Sequence, residues 1–399
     1  MEDGESPLCK NLPNLVSSFV DTFVDFTVSG GLFSPSAQNH PDPTPPQPAA
    51  PKPLQTRYPA PPRLVAVGDL HGDLEKTKQS LRLAGVIDGQ GQWAGGSSTV
   101  VQVGDVLDRG GEELKILYFL EKLKREASKA GGRLITMNGN HEVMNVEGDF
   151  RFVTKSGLEE FENWANWYSL GEKIKGLVSG EKRKDLFDGI PLKFRGVKDD
   201  CVNGIRARIA ALRPDGPVAR RFLGENVTVL VVGDSVFVHG GLLPEHVEYG
   251  LERINKEVRD WVNGFRGKHP PGHCKGRDAV VWLRKFSDEK KGRCDCSALE
   301  HVLATVPGAR RMIMGHTIQQ SGINGACENR AIRIDVGMSK GCINGLPEVL
   351  EIVGGSELRV LTSNPAYQGR HKGYSEANGK ERAALLIPAH GVKQVEVKA

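Results

Sequence analysis

Residues of the types that bind metal ions and move protons recur in five short clusters along this sequence. In chain order the clusters are Gly68-Asp69-Leu70-His71-Gly72-Asp73, Gly104-Asp105-Val106-Leu107-Asp108-Arg109-Gly110, Gly139-Asn140-His141-Glu142, Val238-His239-Gly240-Gly241 and Met314-Gly315-His316-Thr317. Each follows a short apolar run, so each is predicted to begin where a buried strand ends. Because open α/β sheets bind ligands beyond the carboxyl ends of their strands, the clusters predict one shared site.

Each cluster taken alone is weak support for a site. A Gly-Asp pair after a strand is usually a turn, and a single histidine on an apolar face is usually a core residue. Five such clusters in one chain make a chance arrangement improbable. Mixed imidazole and carboxylate ligands suit Mn²⁺, Fe or Zn²⁺ better than Ca²⁺ or Mg²⁺, so the sequence predicts a transition-metal site.

The elements that position these clusters alternate between strand and helix from Arg63 onward. Strands are predicted at 64–67, 100–103, 134–137, 227–232, 235–238, 311–314, 331–334, 348–352 and 358–361. Helices are predicted at 74–84, 112–130 and 245–263. This order predicts an α/β fold built on a parallel or mixed sheet flanked by helices.

The chain divides into four predicted segments. Residues 1–33 carry an amphipathic helix whose apolar stripe runs from Leu12 to Val24, and which docks on the protein's own domain or on a partner. Residues 34–62 are a proline-rich linker. The catalytic domain covers 63–362 and includes a helical insert at about 145–225, and 363–399 form a polar tail.

Composition excludes several classes of function. A net charge of +4 on 399 residues is too small for a nucleic-acid-binding surface, and no apolar run approaches the length needed to cross a bilayer. The acidic N-terminus, with Glu2, Asp3 and Glu5, fits neither a secretory signal nor a transit peptide. The predicted compartment is therefore the cytoplasm.

The seven cysteines cannot all pair within the chain, and most are expected to be free thiols. Cys274, Cys294 and Cys296 nevertheless leave room for redox-sensitive pairing. A disulfide formed by Cys274, Cys294 or Cys296 would suit an oxidising space, such as that between the mitochondrial membranes. This cysteine cluster and the N-terminal helix are the two places predicted to engage a regulatory partner.

The motifs GDLHGD, GDVLDRG, GNHE, HGG and GH resemble the signature series of the phosphoprotein-phosphatase superfamily of metallophosphoesterases, over about residues 63–362. The segments DAVVWLRKF, RMIMGHTIQQSGIN and IRIDVGMSKG are similar to the Shewanella-like protein phosphatases of plants, and among them to the second type, which lacks a transit peptide. The resemblance implies a calcineurin-like β-sandwich of mixed sheets flanked by helices, with a helical insert.

The resemblance also implies two divalent metal ions held by six side chains: Asp69 and His71 on the first, Asp105 bridging both, and Asn140, His239 and His316 on the second. Only two of these ligands are anionic, whereas two divalent metal ions carry at least four positive charges. The surplus positive charge is expected to attract a phosphate dianion and to acidify the bridging water. The metal is expected to be manganese, with iron and zinc as alternatives.

The remaining roles implied by the resemblance concern proton transfer and phosphate binding. His141, oriented by Asp108, is the general acid that protonates the departing alkoxide. Arg109 and Arg284 clamp the phosphoryl oxygens. The expected reaction is hydrolysis of phosphoserine or phosphothreonine monoesters in proteins by a metal-bridging hydroxide, and phosphotyrosine stays open as a substrate.

Two other functions remain possible from the sequence. The first is hydrolysis of dinucleoside polyphosphates on the same scaffold, for which Trp164, Trp167 and Tyr168 could form a base-stacking pocket. Packing in the core of the insert is the preferred explanation for these aromatic residues. The second is a non-catalytic metal-binding protein with a decayed site, although none of the motif residues is missing.

Overall fold

A computed structural model describes residues 7–33, 54–180, 183–288, 294–364 and 391–394 of the 399-residue chain. Its strands are β1 (Arg57–Tyr58), β2 (Arg63–Val67), β3 (Thr99–Gln102), β4 (Arg133–Thr136), β5 (Val229–Val232), β6 (Ser235–Val238), β7 (Arg311–Met314), β8 (Asn324–Ala326), β9 (Ala331–Arg333), β10 (Glu348–Val353), β11 (Glu357–Thr362) and β12 (Gly391–Gln394). Its α-helices are α1 (Pro7–Val28), α2 (Leu74–Leu83), α3 (Glu113–Lys129), α4 (Asn140–Glu147), α5 (Lys155–Ser179), α6 (Asp199–Leu212), α7 (Pro217–Arg221), α8 (Pro244–Tyr249), α9 (Leu251–Val262) and α10 (Cys296–Thr305).

The strands form two six-stranded mixed sheets that share one hydrophobic core, as the resemblance predicted. The first sheet has the order β12-β11-β10-β2-β3-β4, and β2, β3 and β4 run parallel in its functional half. The second sheet has the order β1-β5-β6-β7-β9-β8, and β6, β7 and β9 run parallel. An isolated parallel bridge between Met137 and Val227 connects the two sheets beyond β4 and before β5.

The central strands are buried on both faces, which explains their continuous apolar runs. Every residue of β3, β5, β6 and β7 is buried. Parallel strands covered on both faces read as unbroken Val, Ile and Leu segments rather than as alternating ones. The predicted strands at these positions are confirmed within one or two residues at their ends.

The helical insert and the N-terminal helix pack on one another beside the first sheet. In α5, Trp164 is buried and stacks on Tyr168 with 5.1 Å between ring centroids, and Trp167 meets Phe23 of α1 edge to face at 5.6 Å. These three aromatic side chains therefore pack the insert and α1, as the preferred explanation held. The amphipathic helix expected in residues 1–33 is present and docks on the protein's own domain.

An ion pair attaches α1 to the insert. Asp25 is buried, and its two carboxylate oxygens each accept a hydrogen bond of 2.7 Å from the guanidinium of Arg221 at the end of α7. Arg221 also donates to Glu121 of α3, with its Nη2 2.7 Å from the carboxylate oxygen. The N-terminal helix is thus held by charge as well as by its apolar stripe.

Three segments differ from the sequence-based predictions. The helix predicted over 245–263 is two helices, because Gly250 adopts a φ of 103° between α8 and α9, a conformation that other residues rarely reach. Residues 391–394, assigned to the polar tail, form β12 and pair with β11. Most of the predicted proline-rich linker lies outside the described residues, but its last part contains β1, which pairs with β5.

The cysteine pairing also differs from the prediction. Cys296 is disulfide-bonded to Cys327, which lies 31 residues further along the chain. The sulfur of Cys294 lies 3.3 Å from that of Cys327, whereas Cys274 is a buried free thiol. Of the predicted cluster, Cys296 therefore forms a disulfide and Cys274 does not, and the partner Cys327 was not identified because it reaches Cys296 only through the turn between β8 and β9.

Helices capable of spanning a membrane are absent from the described part of the chain.

The α1–insert ion pair leads to a stability prediction. Arg221→Gln leaves the buried Asp25 carboxylate without its bidentate partner, so we expect the free energy of unfolding to fall by about 1–3 kcal/mol. Urea denaturation followed by circular dichroism measures this change. Arg220→Gln is the matched control, because Arg220 is exposed and holds Asp215 by one contact of 3.2 Å, so its loss should cost less than about 0.5 kcal/mol. Equal losses in the two variants would contradict the proposed anchoring role.

Candidate active site

The predicted clusters meet where the carboxyl ends of the parallel strands of both sheets come together. Contacts between the sheets hold this junction closed. The His239 ring follows β6 of the second sheet and donates through Nδ1 to the carbonyl oxygen of Val103, at the end of β3, at 2.9 Å. The backbone N–H of His316, after β7, donates to the Asp69 carboxylate, after β2, at 3.1 Å. The site is therefore built equally from both sheets.

Asp105 is the centre of the site. Its Oδ2 lies 3.1 Å from Nε2 of His239 and 3.8 Å from Nε2 of both His71 and His141. Its Oδ1 accepts the backbone N–H of His141 at 3.0 Å. All four of these residues are buried, so one carboxylate lies among three imidazoles with almost no access to solvent.

The hydrogen bonds of the imidazole rings determine which nitrogen faces the site. His71 and His239 donate from Nδ1 to the carbonyl oxygens of Leu107 and Val103, which leaves the lone pair of Nε2 directed at Asp105. In His316 the roles are reversed, since Nε2 donates to the carbonyl of Trp282 at 3.2 Å and Nδ1 is left free. Fixing the tautomer through the outer nitrogen is what metal-binding histidines do in proteins.

Two oxygen atoms converge on one imidazole nitrogen here. Nε2 of His239 lies 3.0 Å from Oδ1 of Asn140 and 3.1 Å from Oδ2 of Asp105. Burial would lower the pKa of His239, but Asp105 outweighs burial and raises that pKa. The two oxygens therefore need positive charge between them, which either a proton on Nε2 or a metal ion bound by the neutral ring supplies, and the donor set fits a metal ion. The ligand atoms of Asp105, His239 and His316 all lie within 4.8 Å of one another, and so do those of Asp105, His71 and His141.

The pKa values of the ligand side chains also fit a cation. Burial would raise the pKa of Asp105, but His239, His141 and His71 outweigh that effect and hold it well below its usual value. Burial lowers the pKa of His71 to about 4, and burial together with His239 brings the pKa of His316 well below its usual value. These two rings are therefore neutral lone-pair donors at neutral pH.

A buried carboxylate that the sequence analysis did not identify belongs to the same site. Asp335 follows β9, is buried, and is hydrogen-bonded to the Asp69 carboxyl group. Burial raises the pKa of Asp335 to about 6, and burial together with Asp335 raises that of Asp69 well above its usual value. Two adjacent buried carboxyl groups repel as anions, so they either share a proton or balance the charge of a bound cation. The signal was present, since Asp335 follows an apolar strand as Asp69 does.

The loops that carry the site are held in conformations that non-glycine residues rarely adopt. Positive φ angles between 44° and 68° occur at five of its residues: His71, Asp105, Asp108, Arg109 and His316. Left-handed backbone of this kind costs about 1–3 kcal/mol per residue and concentrates at functional sites. The cost is met by the surrounding hydrogen bonds and packing.

Glu142 supplies many of those hydrogen bonds. Its buried carboxylate accepts the backbone N–H groups of Asp105, Val106, Leu107 and Gly139 at 2.7–3.1 Å. Gly139 must be a glycine, because a side chain there would begin 2.7 Å from the backbone nitrogen of Asp105 and 2.9 Å from the ring of His239. The GNHE motif therefore fixes the loop that carries Asp105.

His141 differs from the other imidazoles in its outer partner. Its Nδ1 lies 2.6 Å from Oδ2 of Asp108, a buried carboxylate, whereas the other rings bind carbonyl oxygens. Burial would lower the pKa of His141, but Asp105 and Asp108 outweigh it and raise that pKa. Nε2 of His141 and Nε2 of His71 lie at the same distance from Asp105, so the carboxylate partner is what distinguishes His141 from the other three imidazole rings.

Two arginines border the site. The guanidinium of Arg109 lies over the ring of Phe152 at 4.8 Å, and its buried Nε has no hydrogen-bond partner among the described residues. Arg284 is exposed and donates through Nη1 to the carbonyl oxygen of His316 at 3.1 Å and to Thr317 at 2.8 Å. The structure thus brings all ten predicted site residues to the place where the carboxyl ends of the parallel strands of both sheets meet.

Comparison with known proteins agrees with this geometry. The sequence model of the calcineurin-like phosphoesterase family matches residues 62–320. Shewanella-like protein phosphatase 2 of Arabidopsis thaliana is 62% identical over the full length of both chains. Shewanella-like protein phosphatase 1 of Plasmodium berghei is 29% identical, over 69% of this chain and 67% of that protein.

A solved structure is similar in fold. The cold-active protein-tyrosine phosphatase of a psychrophilic Shewanella species aligns with a TM-score of 0.53 and 21% identity, over 78% of this chain and 80% of that chain. The family match, the full-length relative and the shared fold lead to one conclusion. The chain belongs to the Shewanella-like protein phosphatases, within the calcineurin-like phosphoesterases, and is a hydrolase of phosphoric monoesters.

Proposed function

We propose that this protein removes phosphate from phosphorylated protein side chains with two divalent cations held by six side chains: Asp69, His71, Asp105, Asn140, His239 and His316. The observation that carries the proposal is the convergence of imidazole nitrogens on the buried Asp105 carboxylate, next to the His141–Asp108 pair. Asp335 adds a third buried carboxylate beside the ligands and can balance cation charge there.

When bound, the cations supply positive charge that polarises the phosphate and makes hydroxide available from water near neutral pH. We propose manganese as the resident metal, with iron or zinc as alternatives, because the donors combine imidazole and carboxylate groups.

The arginines bind the phosphoryl group. Arg109, whose buried Nε has no partner among the described residues, and the exposed Arg284 provide planar guanidinium donors beside the site. Planar guanidinium groups bind phosphate oxygens through paired charge-assisted hydrogen bonds, which orient the ester as well as hold it. In this arrangement the departing oxygen lies near His141.

His141 gives a proton to the departing oxygen. Because Nδ1 is engaged by Asp108, the proton that the charged ring can release is on Nε2, which faces the site. As the P–O bond breaks, the leaving oxygen takes this proton and departs as an alcohol, while water supplies the oxygen of inorganic phosphate. His141 is left neutral and regains a proton from the attacking water.

The proposed substrates are phosphoserine and phosphothreonine side chains, with phosphotyrosine included. Relatives named protein phosphatases and a protein-tyrosine phosphatase of the same fold support this class. No observation favours the dinucleoside polyphosphate alternative. The aromatic residues it would need are engaged in packing, since Trp164 stacks on Tyr168 and Trp167 meets Phe23.

The compartment and the regulatory partner remain predictions. The sequence favours the cytoplasm. The alternative is the space between the mitochondrial membranes, where the Cys296–Cys327 disulfide would persist. A regulatory partner is predicted to bind at α1 or at the cysteine cluster of Cys274, Cys294 and Cys296.

Asp105→Asn tests the metal assignment. We expect loss of both metal ions and of phosphopeptide hydrolysis to background, because the substitution removes the bridging charge. Asparagine tolerates the left-handed φ of 55° at this position, so the fold should be retained. Elemental analysis and a phosphopeptide assay measure the two outcomes. Asp88→Asn, at an exposed turn, is the control. Retention of two metal ions per chain with normal turnover would refute the ligand assignment.

His141→Asn tests the general acid through the basicity of the leaving group. Serine alkoxide needs a proton in the transition state, whereas nitrophenolate needs far less help. We therefore expect phosphoserine-peptide hydrolysis to fall ~10²–10⁴-fold and p-nitrophenyl phosphate hydrolysis to fall much less, with normal metal content. His239→Asn should impair both substrates alike, because it weakens metal binding. Equal losses on both substrates for His141→Asn, with metal retained, would remove His141 from the acid role.

A further inference from the structure

A buried arginine from the helical insert reaches the His141–Asp108 pair. Arg208 lies on α6, and its side chain is completely buried, with an exposed fraction of 0%. No sequence motif identified it, and its hydrogen bonds reach none of the proposed metal ligands. An isolated buried guanidinium is costly, so its contacts must compensate for lost hydration.

Within the described residues, the hydrogen bonds of the Arg208 guanidinium go to three side chains around the pair. Nη1 and Nη2 bind the two carboxylate oxygens of Glu113 at 3.0 and 2.6 Å. Nη2 also donates to Oδ1 of Asp108 at 2.9 Å, and Nε donates to Oδ1 of Asn145 at 2.7 Å. The guanidinium plane lies against the ring of Phe161, 4.6 Å from its centroid, which restricts its rotation.

These contacts fix the Asp108 carboxylate in one orientation. Its Oδ1 accepts from Arg208 and from Nδ2 of Asn145, at 2.9 and 3.0 Å, and its Oδ2 accepts from His141 at 2.6 Å. The backbone N–H of Asp108 donates to Glu113 at 2.9 Å, so the residue that binds Arg208 also fixes the Asp108 main chain. Asp108 is thus restrained at both carboxylate oxygens and at its backbone.

Charge compensation requires a cation at this position. Asp108 and Glu113 are two completely buried carboxylates, and Arg208 is the arginine that contacts both. The charges of Asp108, Glu113, Arg208 and a protonated His141 sum to zero. Removing the arginine would leave a buried carboxylate uncompensated and Oδ1 of Asp108 with one donor fewer, so the carboxylate could turn away from the imidazole.

We infer that Arg208 is a positioning residue for leaving-group protonation, through which the helical insert holds Asp108 against His141. This inference rests on the proposed function, because it assumes that His141 is the general acid. Partners in the outer shell of an active-site histidine determine its orientation, and their loss costs about 10–100-fold in activity. Arg208 acts through Asp108 and touches neither substrate nor metal ions.

Arg208→Gln in the full-length, manganese-loaded enzyme is the first test. We expect turnover of a phosphoserine peptide to fall about 10–100-fold, and turnover of p-nitrophenyl phosphate to fall much less. KM and metal content should stay near the parent values, because substrate and metal contacts are untouched. Arg208→Lys should recover only part of the loss, since an ammonium group keeps the charge but cannot span Asp108, Glu113 and Asn145 together.

A double-variant cycle shows whether Arg208 acts through His141. In the His141→Asn background, Arg208→Gln should cause no further loss of phosphopeptide turnover, because the group it positions is already absent. An independent, multiplicative loss on both substrates would overturn the inference and leave Arg208 with a structural role only.

Arg221→Gln is the matched control. It also removes an arginine of the insert bound to two carboxylates, Asp25 and Glu121, but away from the pair. It should lower stability and leave the ratio of the two turnover rates unchanged. A similar shift of that ratio in both variants would contradict a specific role for Arg208.

A compensated variant covers the case in which Arg208→Gln does not fold. Arg208→Met combined with Glu113→Gln removes one buried charge of each sign and should show the same leaving-group asymmetry. If His141→Asn shows no asymmetry, the acid role of His141 in the proposed function fails. If His141→Asn shows it and the Arg208 variants do not, only the present inference fails.

Discussion

The rest of the structure depends on the burial of the Asp105 carboxylate at the junction of the two sheets. A carboxylate with almost no solvent access is stable only if positive charge or donors surround it. Every cluster identified in the sequence brings such a group to within a few ångströms of it. The strained loops, the four backbone donors held by Glu142 and the absence of a side chain at Gly139 all serve to place that carboxylate and its neighbours.

The site contains more negative charge than its proposed ligand set suggests. Asp69 and Asp335 form a buried acidic pair beside Asp105; burial raises the pKa of both carboxyl groups, and Asp335 raises that of Asp69 further. Neutral His71 and His316 contribute lone pairs but no charge. Such a site is strained without cations and relaxed with them, which is how a protein makes a metal centre part of its own stability.

The outer layer of the site connects catalysis to parts of the chain that never touch substrate. Arg208 brings the insert to Asp108, and Arg221 brings α1 to the same insert. The Cys296–Cys327 disulfide joins the start of α10 to the turn before β9, the strand that leads to Asp335. Each attachment uses long-range contacts between elements that are distant in sequence.

The sequence by itself determined the architecture and most of the residues that meet at the site, because both are encoded locally. Apolar runs of four to six residues followed by Asp, Asn or His predicted β2, β3, β6 and β7 together with the residues that follow them. The split of the helix at Gly250, however, depended on a backbone angle that composition does not reveal.

Tertiary structure alone decided the features that depend on distant partners. The short strands β1 and β12 exist because β5 and β11 offer free edges to pair with, and neither has an apolar pattern of its own. Cys327 pairs with Cys296 because the turn between β8 and β9 brings the two cysteines together. The sequence does not distinguish Arg208 from an ordinary surface arginine, because the side chains that bind it lie on distant parts of the chain. Strand pairing, disulfide pairing and the compensation of buried charges all join residues that are distant in the sequence, so local sequence patterns could not predict them.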